Sequence, residues 1–493
     1  MRDNRYDVLV IGAGVSGIGM ACQLATKCPG KRVAILERRK AIGGTWDLFR
    51  YPGVRSDSDF LTYGFGFRPW TGTAVFADGP SIKDYLIKTA REYGIDKKVL
   101  FGLRVAQCEW TSGQQCWTVT TAEDASGQVH RFTCNFVVAA TGYYNYDQGF
   151  LPEFLDAERF RGQYIHPQFW PDNLDYRGKR VVVIGSGATA VTIVPAMAND
   201  AAHVTMLQRS PGYIFSFPSY DHVGALLLQV LPDRWVYRLL VRRNVFIQRS
   251  IYKICKHFPR LARSLLLGSV RRRLGPGFDM SHFTPHYMPW DERLCVAPDG
   301  DLLRVLREGK ASIVTDHIEA FTPQGVLLKS GKGLEADIIV SATGLQLQNL
   351  GGLELKVDGE IRDPNGCMMY KGVLLQDIPN FALMFGYTNA SWTLKIDLAA
   401  DYLCRLLNEM ERRGAKAVIP RASASERQDE SILCSLCAGY IQRSKAILPR
   451  QGRRSPWRVL HNYEKDRAVY GQPIDDSALE WTATAPAALS QVS

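Results

Sequence analysis

Tyr6-Asp7-Val8-Leu9-Val10-Ile11-Gly12-Ala13-Gly14-Val15-Ser16-Gly17 is the stretch on which the rest of the chain turns. Its apolar run reads as a buried parallel strand, and glycines follow at once. Gly12 allows a tight turn, Gly14 lets backbone approach a pyrophosphate, and Gly17 lets helix pack on strand. The diphosphate of a dinucleotide then lies at the positive end of a helix starting near Val15. A second strand, Val33-Ala34-Ile35-Leu36, ends in Glu37, twenty residues beyond Gly17, where a carboxylate can accept ribose hydroxyl hydrogen bonds. Strand, glycines, helix, strand and acid in that order predict a dinucleotide site.

A second copy runs from Lys179 through Val181-Val182-Val183-Ile184 into Gly185-Ser186-Gly187-Ala188-Thr189-Ala190, with Ala190 in place of the third glycine. Its following strand, His203 to Leu207, ends in Gln208-Arg209-Ser210 and not in an acid. An acid would repel a 2′-phosphate, whereas Arg209 can pair with one, so NADPH is expected over NADH. The alternative is a solvated charge at a strand end. Two such folds on one chain imply electron transfer between two cofactors, and the acid-terminated site suits FAD. Ala140-Thr141-Gly142 and Ala342-Thr343-Gly344 each follow a buried strand; singly each is an ordinary strand-to-turn transition, and as a pair they resemble the two chain crossings of two-dinucleotide-domain flavoproteins. The expected fold class is α/β, with two doubly wound, Rossmann-like dinucleotide-binding domains. The expected layout is an FAD part over 1–145, an NADP domain over 155–340 with a helical insertion near 216–280, and a return to the FAD domain over 345–493.

Four reactions are open to a reduced flavin beside NADPH: disulfide reduction, amine oxidation, oxidase activity, or oxygen insertion. No cysteine lies between Cys28 and Cys108, which removes the redox pair a disulfide reductase needs. In its place stands Gly43-Gly44-Thr45-Trp46-Asp47-Leu48-Phe49-Arg50-Tyr51-Pro52-Gly53-Val54-Arg55-Ser56-Asp57. Between the halves stands Phe160-Arg161-Gly162-Gln163-Tyr164-Ile165-His166-Pro167-Gln168-Phe169-Trp170-Pro171. The second stretch resembles the Baeyer–Villiger monooxygenase motif F-x-G-x-x-x-H-x-x-x-W-[PD] at every fixed position. The first matches the companion motif [AG]-G-x-W-x-x-x-x-[FY]-P-[GM]-x-x-x-D completely. With both fingerprints the resemblance spans nearly the whole chain. It is strongest to the ethionamide-activating branch of these class B flavin monooxygenases, through Gly43 to Gly53, Ser391-Trp392-Thr393-Leu394-Lys395 and Ser455-Pro456-Trp457-Arg458.

The resemblance implies that NADPH reduces FAD, O2 forms a flavin C4a-peroxide, and a ketone becomes an ester or lactone, with S-oxidation as a side activity. Hydroxylation of heteroatoms or long-chain alkanes is the alternative. The family's essential arginine falls on Arg293, and Asp57 on the acid that positions it. Ser16, Thr45, Trp46, Asp47 and Val105 fall on FAD contacts. His166 is tempting as a general base, but its motif lies on the interdomain connection, so a structural or hinge role is expected. One residue departs from the pattern: many relatives carry Lys before the arginine, and here Glu292 stands there. NADPH selection then leans harder on Arg209.

Length, charge and cysteines bound the rest. The 493 residues carry 60 Lys plus Arg against 49 Asp plus Glu, a net charge of +11. Twelve of those cations and no acid lie between Arg234 and Arg273, leaving a neutral remainder of 48 against 49. General nucleic-acid binding is therefore not expected. The eleven cysteines form no disulfide framework, and the close pair Cys434 and Cys437 has no second pair to complete a metal site. No signal-like or spanning apolar run occurs, so a cytoplasmic enzyme is expected. From Arg234 to Arg263 the cations recur on one helical face, with Leu239, Leu240, Phe246, Ile247, Ile251 and Ile254 largely elsewhere and a break near Pro259. That face can be solvated, can steer NADPH, or can make peripheral contact with anionic membrane through 234–273. The tail from Ala483 is expected to be loose.

Overall fold

The computed structural model describes residues 4–123, 126–292, 294–387, 389–433, 439–474 and 477–483. Two parallel sheets organise it. The first has a parallel centre in the order Val99–Phe101, Val33–Glu37, Arg5–Ile11, Arg131–Ala139, Phe381–Leu383. Its opening strand is buried on both faces, as the unbroken apolar run requires. Val8 and Val10 pack with Ile18 and Leu24 of helix Val15–Lys27 and with Leu403 of helix Trp392–Arg413. Leu9 and Ile11, pointing the other way, join Trp110 and Trp117 of an antiparallel extension. The alternation of the strand thus supplies two cores from consecutive residues.

The second sheet repeats the plan in the order Ala311–Thr315, His203–Gln208, Arg180–Ile184, Ile338–Ser341, Gln163–Ile165, all parallel. Its edge strand Gln163–Ile165 comes from the motif Phe160 to Pro171, so that motif is partly a structural element of this sheet. Both sheets are doubly wound, in agreement with the fold class expected from sequence. The chain passes from the first sheet to the second along Tyr144–Gly149 and returns along Leu345–Leu347. These two passages pair with each other as an antiparallel ribbon, Leu345 opposite Gly149 and Leu347 opposite Tyr144.

Three helices, His222–Val230, Asp233–His257 and Pro259–Leu274, carry the basic segment. The break falls where Pro259 stands, because a proline is tolerated in the first turn of a new helix and not inside an old one. The expected separation of faces holds only in part. Val236 and Leu240 are buried, but Trp235, Leu239, Phe246 and Ile254 are exposed together with the cations. No helix among the described residues is long and apolar enough to cross a membrane. Cys434, Cys437 and the tail beyond Ala483 lie outside the described residues.

Candidate functional site

Both glycine-rich turns open into one cavity of about 1550 Å³, lined from the first half by Gly12, Gly14, Ser16 and Glu37 and from the second by Gly185, Ser186, Gly187, Ala188, Thr189 and Arg209. That is larger than the roughly 300–1,000 Å³ of a site for one small ligand. The paired Ala-Thr-Gly turns complete the two grips in the same way. A methyl group on Gly12, at φ +105°, would sit 2.6 Å from the carbonyl oxygen of Ala140. One on Gly185, at φ +141°, would sit 2.3 Å from that of Ala342. Only glycine fits under either carbonyl. Gly17 faces away from the cavity and packs on the carbonyl of Gly12, while Ala190 is buried between helix and sheet.

The strand-end groups differ as their chemistry suggests. Glu37 is 3% exposed and accepts the N–H of Ala13 and of Arg39, each at 2.7 Å. Burial pushes its carboxyl up, against the pull of those two N–H groups. A carboxylate has about four lone-pair positions, so two remain for a ribose. Gln208 is buried and turned from the cavity, donating to the carbonyl of His282 at 2.7 Å and to the Thr315 hydroxyl at 2.9 Å. Arg209, next to it, lines the cavity without an ion pair to any described residue.

The segment Gly43 to Asp57 lies between the two grips. A methyl on Gly44 would come within 2.8 Å of the Gly14 backbone, so the two loops touch. One on Gly53 would meet Ala196 at 2.9 Å and the Thr192 carbonyl at 3.1 Å, both on helix Ala188–Met197 of the other half. The glycines of this motif thus mark close approaches at its two ends. Thr45, Trp46, Tyr51, Asp57 and Val105 line the cavity. Burial pushes the Tyr51 hydroxyl up to about 12, against a hydrogen bond from Thr189 across the halves. Asp47 does not line the cavity. It is buried beneath it, bonded to Arg39 and to Lys83, each at 2.6 Å. Burial raises its carboxyl, but the two cations outweigh burial and hold it below the usual range.

The second motif is joinery between sheet and crossing. Phe160 packs on Phe321, and a methyl on Gly162 would strike the Asp337 carbonyl at 2.4 Å. Trp170 packs on the opposite face of the same sheet. His166 is buried against Gly149. Its Nε2 lies 3.1 Å from the Gly344 carbonyl, and its Nδ1 accepts the Gln168 N–H at 3.2 Å. A carbonyl can only accept, so the ring is neutral with its proton on Nε2 and has no lone pair to spare. Burial lowers its basicity further. None of these four residues lines the cavity.

Arg293 lies outside the described residues, but Glu292 and Leu294 on either side of it line the cavity. Burial raises the Glu292 carboxyl, opposed by the charge of Arg209. Sequence reasoning missed Arg443. It reaches the cavity from helix Gly439–Arg443, with its guanidinium 3.6 Å from the centre of the Phe150 ring. Burial and the like charge of Arg209 both disfavour its protonated form. Two cations held near each other on a cavity wall suit an anion between them. No motif signals Arg443, because it arrives from a distant part of the chain. Another buried contact ties the return segment to the first grip: Trp392 donates to the Ser16 hydroxyl at 2.8 Å.

Residues 10–75 match the NAD(P)-binding Rossmann-like domain family and residues 73–237 the flavin-binding monooxygenase-like family. MymA of Mycobacterium tuberculosis is 54% identical, over 98% of this chain and 99% of its own. The FAD-containing monooxygenase EthA of the same organism is 48% identical, over 96% of this chain and 97% of its own. Among solved structures, oxidised steroid monooxygenase bound to NADP superposes with a TM-score of 0.78 at 20% identity, over 97% of this chain and 100% of that one, a likeness of fold.

Proposed function

The chain belongs to the FAD-containing, flavin-binding monooxygenases, and from that premise we propose that it is a Baeyer–Villiger monooxygenase that converts ketones to esters or lactones and oxidises sulfides as a side activity. It is an NADPH-dependent flavin enzyme. The observation that carries the proposal is the single cavity into which both nucleotide grips open, since reduction of one cofactor by the other requires them to meet. The glycine cradles fit two dinucleotides: each lines the cavity at a helix start, one beside a carboxylate and one beside an arginine with no ion pair to a described residue.

Gly12, Gly14, Ser16, Glu37, Thr45, Trp46, Asp57 and Val105 would hold FAD, with Gly17 packing the helix start on the Gly12 carbonyl and Asp47 acting from below by fixing Arg39 and Lys83. Gly185 to Thr189 and Arg209 would hold NADPH, with Ala190 packing the helix on the sheet, Gln208 anchoring the strand end and Arg443 adding a second cation in place of the lysine that Glu292 replaces. Reduced FAD, when bound, supplies the activation of O2 from which one oxygen atom enters the substrate. The chain's own part is electrostatic and steric. Arg293 would supply the cation for the oxyanion that develops at the substrate carbonyl, with Asp57, on the cavity wall, as the acid that partners it. The apolar walls exclude water, which would otherwise divert oxygen to hydrogen peroxide. His166 holds the crossings and moves no proton.

Arg293→Ala should still be reduced by NADPH and should yield no ester. Ester formation at the normal rate in that variant would overturn the role given to Arg293. Product analysis over linear, cyclic and aryl ketones and a sulfide tests the reaction itself: hydroxylated amines or alkanes, with no ester from any ketone, would place the chain with the hydroxylating members instead.

A further inference from the structure

We propose that the outward side of the three helices 222–274 docks on an anionic lipid bilayer, and that the cavity takes its substrate from that bilayer at Tyr220–Val223. Twelve of the 18 large apolar side chains exposed among the described residues fall between Tyr220 and Leu265, in under a tenth of the chain. They follow helical spacing. Val223, Leu226 and Val230 recur on the first helix; Trp235, Leu239 and Phe246 on the second; Leu261 and Leu265 on the third.

The charges make lipid the occupant. On helix Asp233–His257, the steps from Trp235 to Arg238, Leu239, Arg242 and Phe246 keep to one face, so cations and apolar groups alternate on it. Trp235 has two guanidinium groups near its ring, Arg234 at 6.0 Å and Arg238 at 5.8 Å from its centre. Arg234, Arg238, Arg242, Lys253 and Arg260 make no ion pair with a described residue, whereas Arg249 is tied to Glu464 and Lys256 to Asp291. A solvated helix does not gain from an exposed Trp and a Phe that is 69% exposed. At a membrane interface the rings enter the headgroup boundary and the cations meet lipid phosphates.

The cavity mouth lies on this surface. Tyr220, 45% exposed, and Val223, 57% exposed, both line the cavity. The inner side of the same long helix contributes Asn244, Ile247, Gln248 and Ile251 to the cavity wall. One helix therefore faces the bilayer on one side and the site on the other. An apolar ketone dissolved in lipid could enter without crossing water. This entry route rests on the oxygenating function proposed above; the docking surface does not.

The test uses holoenzyme with phosphatidylcholine vesicles, with and without phosphatidylglycerol. Wild type should co-sediment with the anionic vesicles and not with the neutral ones, and salt should release it. Arg238→Glu with Arg242→Glu should weaken binding about fivefold or more for each cation removed. Trp235→Ser with Phe246→Ser should also weaken it, while flavin content and turnover of a short, water-soluble ketone stay at wild-type level. For a long-chain methyl ketone carried in anionic vesicles, both variants should lose turnover in step with binding. Indifference to lipid charge, or a concentration-dependent dimer that buries these side chains without vesicle binding, would overturn the docking surface. Equal turnover of the vesicle-borne ketone by wild type and variants would overturn the entry route. Vesicle binding with no oxidation of any ketone would sink the ketone-oxidising function and leave the docking surface standing.

Discussion

The two halves share a strand order and a fingerprint, yet their grips are finished differently. Around the first, the loop at Gly43-Gly44 presses on Gly14, Trp392 bonds to Ser16, and Glu37 is buried with both oxygens engaged. Around the second, a methyl on Gly187 would meet nothing within 4 Å, and Arg209 stands at the wall without a described ion pair. A walled cradle suits a cofactor that stays, and an open one suits a cosubstrate that arrives and leaves each turnover. The same backbone device thus suits residence in one place and exchange in the other, and the difference lies in what is packed over it.

Substitutions at equivalent glycines test this most sharply. Gly12→Ala forces a methyl into the Ala140 carbonyl at a φ that L-residues rarely adopt, so it should yield protein without flavin, read from the visible spectrum of the purified chain. Gly187→Ala meets open space, so flavin content should be normal and the effect should be confined to the KM for NADPH. Loss of flavin in that variant would break the comparison. Next in size, Arg209→Ala should raise the KM for NADPH by about 10–100-fold, the worth of a charge-assisted hydrogen bond of about 1.5–3 kcal/mol. The KM for NADH should stay within about threefold, since threefold corresponds to only about 0.65 kcal/mol and NADH has no 2′-phosphate to lose. Glu292→Lys should shift the preference the other way. Smallest is the effect of pH on the joint between halves. Burial depresses the basicity of His166 and takes His461 down to about 4. The unfolded chain then binds more protons than the folded one below about pH 6.5, so stability should fall as pH drops through that value. His166→Gln, followed by thermal melts from pH 7 to 5, should lose part of that slope and keep the part due to His461.

Much of this was legible in the chain. Gly12, Gly185 and the two Ala-Thr-Gly turns declared both cradles because backbone geometry leaves little choice of residue there. The fold followed from strand, glycines and strand in order. What the sequence could not reveal was direction. Asp47 sits in a motif beside Thr45 and Trp46 yet points beneath the cavity, because a short helix turns neighbouring side chains to different sides. Gln208 and Arg209 diverge for the same reason at the end of a strand. On the basic helix, cations and apolar residues were expected on separate faces, but Trp235, Leu239 and Phe246 share the exposed one. Period alone cannot say which of two partly apolar faces finds a partner. Arg443 was invisible, since nothing local ties it to a site more than two hundred residues earlier in the chain.

The pairing of the two passages, Tyr144–Gly149 with Leu345–Leu347, and the imidazole of His166 set against both, has a mechanical meaning. Two independent tethers would let one half drift in any direction relative to the other. A hydrogen-bonded ribbon twists readily about its long axis but resists being sheared, because shear would break its ladder. Neither passage can therefore slide along the other without breaking that ladder, and His166 contacts both at once.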